Sequence, residues 1–301
     1  MNRTHPQHIS RISAWILAIR PRTLPAAVAP VVVGSALAFA HRSFAFLPAA
    51  AALMVAFFLQ IAVNLANDYF DFMKGIDTDD RLGPRRVTQS GLIPSEHVKI
   101  GIITTFVLAA VPGLYLLKAG GWPVLLIGLA CGLAVLAYSG GPYPLASYGL
   151  GDLFVFIFFG LIAVGGTYYV QTLQMTLMSL LMGVIVGLMI TAILVVNNLR
   201  DIQTDRRAGK HTLAVTIGER GTRIEYSLLH AGAYGLTIVI WQSELTNGFI
   251  LLPLLSLPLA VALNRTIWIK SSGEILNQAL ARTVQLALVF SLLLSIGLFL
   301  S

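Results

Sequence analysis

The sequence is poor in charge. Only 11% of its 301 residues are Asp, Glu, Lys or Arg, against about 25% in a soluble domain. That shortage excludes an ordinary water-soluble globule. Cysteine is scarcer still: Cys131 stands alone, which excludes an internal disulfide and a cysteine metal cluster. It lies in an apolar run and reads as a small buried hydrophobe. No small-residue cleavage site follows the basic start "MNRTHPQHISRISAW", so no removable signal peptide is expected. No low-complexity segment is present.

What is there is apolar. Hydrophobic residues make up 56% of the chain and the mean hydropathy is +0.81. The expectation is one all-α, polytopic membrane domain over residues 1–301. A spanning helix needs roughly 20 apolar residues. The apolar runs divide into nine such spans, at 23–41, 44–70, 98–117, 121–139, 150–170, 176–199, 224–243, 248–268 and 281–300. Residues 153–199 hold no charged side chain and are split at "QTLQ". Before the first span, "ISRISAWILAI" reads as a short interfacial helix with Trp15 at headgroup depth.

The net charge of +7 is a matter of topology, not of nucleic-acid binding. With nine spans, every Lys and Arg except Arg42 and Lys118 falls on one side. The positive-inside rule makes that side cytoplasmic, with the N-terminus inside and the C-terminus outside, in a bacterial inner membrane. The acids except Glu244 gather on the same face. Topology needs the cations but gives no reason for the acids.

Two motifs concentrate those acids. In "NLANDYFDFMKGIDTDD", Asn64, Asn67, Asp68 and Asp71 follow helical spacing and share one face, with Asp77 beyond. In "NNLRDIQTDRRAGKHTL", Asn197, Asp201 and Asp205 do the same, with Asn198 alongside. Each stripe closes a span at the cytoplasmic boundary, where the helix dipole is already negative. Two such ends facing each other make a central, cytoplasm-facing cavity that demands cations, and hard oxygens suit Mg²⁺. Lys74 and Arg81 follow the first motif; Arg206 and Lys210 follow the second. Carboxylates and bases together fit a metal-bound diphosphate better than a bare ion path. A cation-coupled transporter would place lone acids nearer the midplane. Asp79, Asp80, Glu96, Glu219 and Glu225 read as loop charge, and His97 and His211 as surface groups.

At these residues the chain resembles the UbiA-type intramembrane prenyltransferases, which carry an NDxxD-type motif on the second helix and a DxxxD motif on the sixth. The segments "NDYFDFMKGIDTDDRLGPRRVTQSGLI", "YSGGPYPLASYGLGDLFVFIFFG" and "NNLRDIQTDRRAGKHTLAV" resemble the branch acting on 1,4-dihydroxy-2-naphthoate in menaquinone biosynthesis. The resemblance implies a polyprenyl diphosphate held through Mg²⁺ at Asp68, Asp71, Asp201 and Asp205, with Asp77 as a further ligand. It implies ionisation to an allylic cation, attack by the naphthoate ring, and loss of CO₂ to give demethylmenaquinone. Asn64, Asn67, Lys74, Arg81, Asn197, Asn198, Arg206 and Lys210 are then candidates for the diphosphate. Arg22, Thr23, Tyr138 and Tyr143 are candidates for the aromatic acceptor. The hydroxybenzoate branch carries a lysine after its fourth span; "YSGGPYPLASYGLGD" has none, which weighs against 4-hydroxybenzoate. Homogentisate is another alternative acceptor. A lateral opening for the lipid substrate and capping by the loops after spans two and six are expected. No obligatory protein partner is inferred. Asp152, at the entry to the fifth span, reads as a structural group.

Overall fold

The computed structural model describes residues 9–76, 83, 85–243, 245–270 and 272–301. Helices α1 (Arg11–Ile19), α2 (Pro25–Ala40), α3 (Phe46–Met73), α4 (Ser95–Gly120) and α5 (Trp122–Ser139) form the first half of the chain. The second half holds α6 (Gly151–Thr172), α7 (Leu177–Arg207), α8 (Leu213–Gln242), α9 (Gly248–Ile269) and α10 (Gly273–Phe299). No strand occurs among the described residues.

Seven of these helices are long and apolar enough to cross a membrane. An eighth joins them if the bent pair Arg11–Thr23 and Pro25–Ala40 counts as one span. The expected nine is therefore not reached on this measure among the described residues. The shortfall is α8. Its backbone breaks at Gly218 (φ 73°, ψ 176°), and Glu219, Arg220, Arg223 and Glu225 dilute its first half. The expected interfacial helix is α1, but Trp15 packs against α4: a Cβ on Gly101 would lie 3.0 Å from its ring.

The helix ends explain how far the acid stripes extend. Helix α7 starts in a capping box, with Thr176 Oγ1 accepting from Ser179 N and Ser179 Oγ accepting from Thr176 N, both at 3.1 Å. It then runs to Arg207, well past the apolar segment, so Asp201 and Asp205 are helical. The chain turns at Gly209 (φ 72°), a left-handed position that favours glycine, and Lys210 N donates back to Asp205 O at 2.9 Å. That turn points the Lys210 side chain at α3.

Helix α7 is the central post of the bundle, buried along most of its length. Its contact with α6 is made by glycines. Gly183 and Gly187, four apart, face Gly160 in a π-helical turn at Phe156–Ile162. A Cβ on Gly160 would stand 2.5 Å from Gly183 O and 2.7 Å from Gly187 Cα. In lipid, close backbone approach of this kind supplies the packing that hydrophobicity cannot. Gly160→Ala is therefore expected to cost about 1–3 kcal/mol through forced separation of the two helices. Thermal unfolding in detergent checks this, and an unchanged midpoint would contradict the packing account.

Candidate active site

A cavity of about 630 Å³ opens inside the bundle, with one polar end and a long apolar remainder. Asn67 and Asp71 of α3 and Asn197, Asn198, Asp201 and Asp205 of α7 all line it, so the two motifs meet at one place. Arg86, Tyr138, Lys210 and Thr212 complete that end.

The carboxylates are not equivalent. Asp68 is buried, and its oxygens accept the backbone N–H groups of Val87 and Thr88, each at 3.0 Å. It thereby ties the segment after α3 to the helix. Asp71 is also buried, and its Oδ2 accepts from Arg86 Nη2 at 2.8 Å and Lys210 Nζ at 3.1 Å. Lys210 follows α7, so this bond joins the two motifs directly. Asp201 is held by its neighbour Arg200, whose Nε reaches Oδ1 at 2.8 Å and Nη2 reaches Oδ2 at 2.5 Å. The same guanidinium donates to Asn197 Oδ1 at 2.9 Å and Asn277 Oδ1 at 2.7 Å, linking α7 to α10. Asp205 lines the cavity and is half-buried.

Other predicted residues take different places. Asn64 is structural in part: its Nδ2 donates to Ile19 O at 2.8 Å and Thr23 Oγ1 at 3.2 Å. Asn67 accepts from Ser139 Oγ at 2.6 Å. Lys74 sits beside the cavity, donating to Ser139 O at 2.7 Å. Partial burial lowers its pKa below the usual lysine value; Asp71 opposes that shift and Lys210 adds to it. Tyr138 and Thr23 line the cavity. Arg22, Tyr143 and Arg206 are exposed and are not brought to the cavity. Arg22 is displaced because Arg20, in a left-handed turn (φ 56°), takes the lining position. Tyr143 instead pairs with Tyr148, ring centroids 5.8 Å apart. Asp77 and Arg81 lie outside the described residues.

The structure adds Arg86 and Arg200 to the acid end. In the sequence they have a role only in topology, yet both are buried against the acids. Adjacent residues on a helix do not ordinarily face each other; the long arginine stem overcomes that for Arg200. Asp152 is buried, and neither of its carboxylate oxygens has a hydrogen-bond partner among the described residues.

Among the described residues, no three His, Cys, Asp or Glu side chains cluster closely enough to hold a metal alone. The donors that line the cavity, Asp71, Asp201 and Asp205, are hard oxygens. Each carboxylate offers about four lone-pair positions, more than the recorded bonds to Asp71 and Asp201 use. Such a set suits a divalent cation that keeps waters and takes its remaining ligands from phosphate.

The UbiA prenyltransferase family matches residues 27–289. The chain belongs to that family. It is 38% identical to the Escherichia coli 1,4-dihydroxy-2-naphthoate octaprenyltransferase over 98% of each chain. It is 41% identical to the Mycobacterium tuberculosis protein of the same name, over 84% of this chain and 85% of that one. A UbiA homolog from Archaeoglobus fulgidus, solved with GPP and Mg²⁺, superposes with a TM-score of 0.67 at 14% identity, over 94% of this chain and all of that one. At that identity the match speaks to the UbiA fold.

The hydrogen bonds of Asp68 assign it a role in this family member that loop dynamics can test. Asp68→Ala removes both acceptors for the Val87 and Thr88 amides, and trypsin should then cut at exposed Arg85 markedly faster. Asp68→Asn, which keeps one acceptor oxygen, should fall between. Equal cleavage of all three proteins would remove the anchoring role.

Proposed function

We propose that the protein transfers a polyprenyl group from polyprenyl diphosphate to 1,4-dihydroxy-2-naphthoate. Diphosphate and CO₂ are released and demethylmenaquinol forms, a step of menaquinone biosynthesis. The names carried by near-full-length relatives support the acceptor. The observation that carries the chemistry is one cavity with both acid motifs at one end and mostly apolar side chains, aliphatic and aromatic, along the rest.

The donor lies with its diphosphate at the polar end and its prenyl chain in the apolar part. Arg86 and Lys210, beside Asp71, supply positive charge to the leaving group. Asp71, Asp201 and Asp205 would hold Mg²⁺, which would neutralise diphosphate charge when bound. As the C1–O bond breaks, its electron pair goes to diphosphate. The ring carbon bearing the carboxylate forms the new C–C bond, and the C–CO₂ bond electrons restore the aromatic ring. The apolar lining keeps water from the allylic cation. Leu114, Leu125 and Leu129 line the cavity on the side of α4 and α5 and are themselves exposed. Exposed apolar lining there supports lateral entry of a lipid substrate.

The topology fits nine spans, with α8 as the seventh despite its diluted first half. The N-terminus is then cytoplasmic, the C-terminus outside, and the polar cavity end faces the cytoplasm of a bacterial inner membrane. The segment at Val87–Thr88 and the turn at Gly209–Lys210 cap it.

Purified protein supplied with polyprenyl diphosphate should prenylate dihydroxynaphthoate in a Mg²⁺-dependent manner, and EDTA should abolish turnover. Mass spectrometry identifies the product. Prenylated 4-hydroxybenzoate or homogentisate without a naphthoquinol product would overturn the acceptor assignment. Asp71→Asn and Asp201→Asn should each lower kcat by at least about 100-fold, since each removes charge stabilisation needed in the transition state. Wild-type turnover in either would remove the carboxylates from the reaction.

A further inference from the structure

The cavity has a second polar patch, deeper than the acids. Gln60 lies on the cavity face of α3, eleven residues before Asp71, about 16 Å along the helix. Arg20 and Thr23, at the start of the chain's first long span, line the same wall. Apart from Asn64, which also donates to Thr23, the wall beside them is largely aliphatic, with Ala26, Ala56, Leu59 and Val63.

The hydrogen bonds fix which way the Gln60 amide points. Thr23 Oγ1 donates its proton to Arg20 O at 3.0 Å, so that hydroxyl can only accept from other groups. It accepts from Asn64 Nδ2 at 3.2 Å and from Gln60 Nε2 at 3.5 Å. Nitrogen therefore faces Thr23, and Oε1 faces away from it. That oxygen is buried and has no hydrogen-bond partner among the described residues, and Gln60 as a whole is 8% exposed. A buried amide oxygen without a donor is costly and calls for an O–H or N–H from outside the protein. A prenyl chain has neither. The aromatic acceptor has ring hydroxyls and, next to one of them, a carboxylate that the Arg20 guanidinium complements.

We propose that Gln60 is a specificity-determining residue for the aromatic acceptor: its Oε1 accepts the hydrogen bond of a ring hydroxyl, and Arg20 faces the neighbouring carboxylate. The inference rests on the naphthoate reading of the site. It places the ring between Gln60 and the acid end, one side of it against the alanines of α2 and α3. The donor's diphosphate occupies the acid end, and its prenyl chain has no O–H or N–H to give, so the donor gains nothing from Gln60. An acceptor whose hydroxyl and carboxylate stand on opposite sides of its ring cannot satisfy both groups at once.

Steady-state kinetics on the full-length protein in detergent test this, with Gln60→Met as an apolar replacement of similar length. The expected result is a rise of about ten-fold in KM for dihydroxynaphthoate with KM for the polyprenyl diphosphate unchanged within two-fold. In the wild-type protein, the acceptor analogue with its 1-hydroxyl methylated should bind about ten-fold more weakly than the parent compound, and Gln60→Met should no longer distinguish the two. The analogue comparison needs only the wild-type protein, so it decides the matter even if the variant does not fold. Equal affinity for parent and methyl ether in the wild-type protein, or an unchanged acceptor KM in Gln60→Met, overturns the role of Gln60 alone. No turnover of dihydroxynaphthoate by the wild-type protein overturns the naphthoate reading, and this inference with it.

Discussion

Carboxylates cannot be taken out of water without compensation, and the architecture of this protein follows from how that is met. Burial of an isolated carboxylate is so unfavourable that the group would take up a proton instead. Asp68, Asp71 and Asp201 are each buried and each has its own remedy. Two backbone amides serve the first, Arg86 and Lys210 the second, and Arg200 the third. Those remedies come from the segment after α3, the turn after α7 and α7 itself. Compensating the acids therefore pins the connections between helices, and pinning them closes the polar end of the cavity.

The same bonds divide the work among residues that look alike in the sequence. Asp68 and Asp71 are separated by less than one helical turn, yet Asp68 is turned to a loop and Asp71 to the cavity. Arg200 is consumed in holding Asp201, Asn197 and Asn277 together. Lys210 and Arg86 bridge the acids and the open volume, where charge on a ligand would meet them. The rigid side of the cavity is the α6–α7 contact through Gly160, Gly183 and Gly187. Along α4 and α5 the cavity is lined by apolar side chains, Leu114, Leu125 and Leu129 among them. The glycine contact thus sets the spacing of the helix that carries Asp201 and Asp205, while α4 and α5 supply apolar surface.

Much of this was legible in the chain itself. Runs of apolar residues located the helices, because in lipid every backbone group must be satisfied within its own segment and only long helices do that. Three-and-four spacing put the Asn and Asp residues of each motif on single faces, since that spacing is fixed by the helix repeat. What it could not give is direction beyond the helix end. Arg22 and Arg20 are two residues apart and equivalent as sequence, but a left-handed turn at Arg20 sends only one to the cavity. Tyr138 and Tyr143 separate in the same way, one ending a helix and the other lying in the exposed connection.

The sequence alone thus determined a lipid-embedded helical bundle and two acidic stripes, because hydropathy and helical periodicity act over short distances along the chain. Only the tertiary structure decided which cation meets which acid. Arg86 lies 15 residues from Asp71 and Lys210 lies 139 residues from it, yet both reach one oxygen. It also decided that Gln60, a lone polar residue in an apolar run, lines the cavity and carries an oxygen with no hydrogen-bond partner among the described residues. Such pairings depend on how helices far apart in the chain rotate against one another, and no local pattern encodes that rotation.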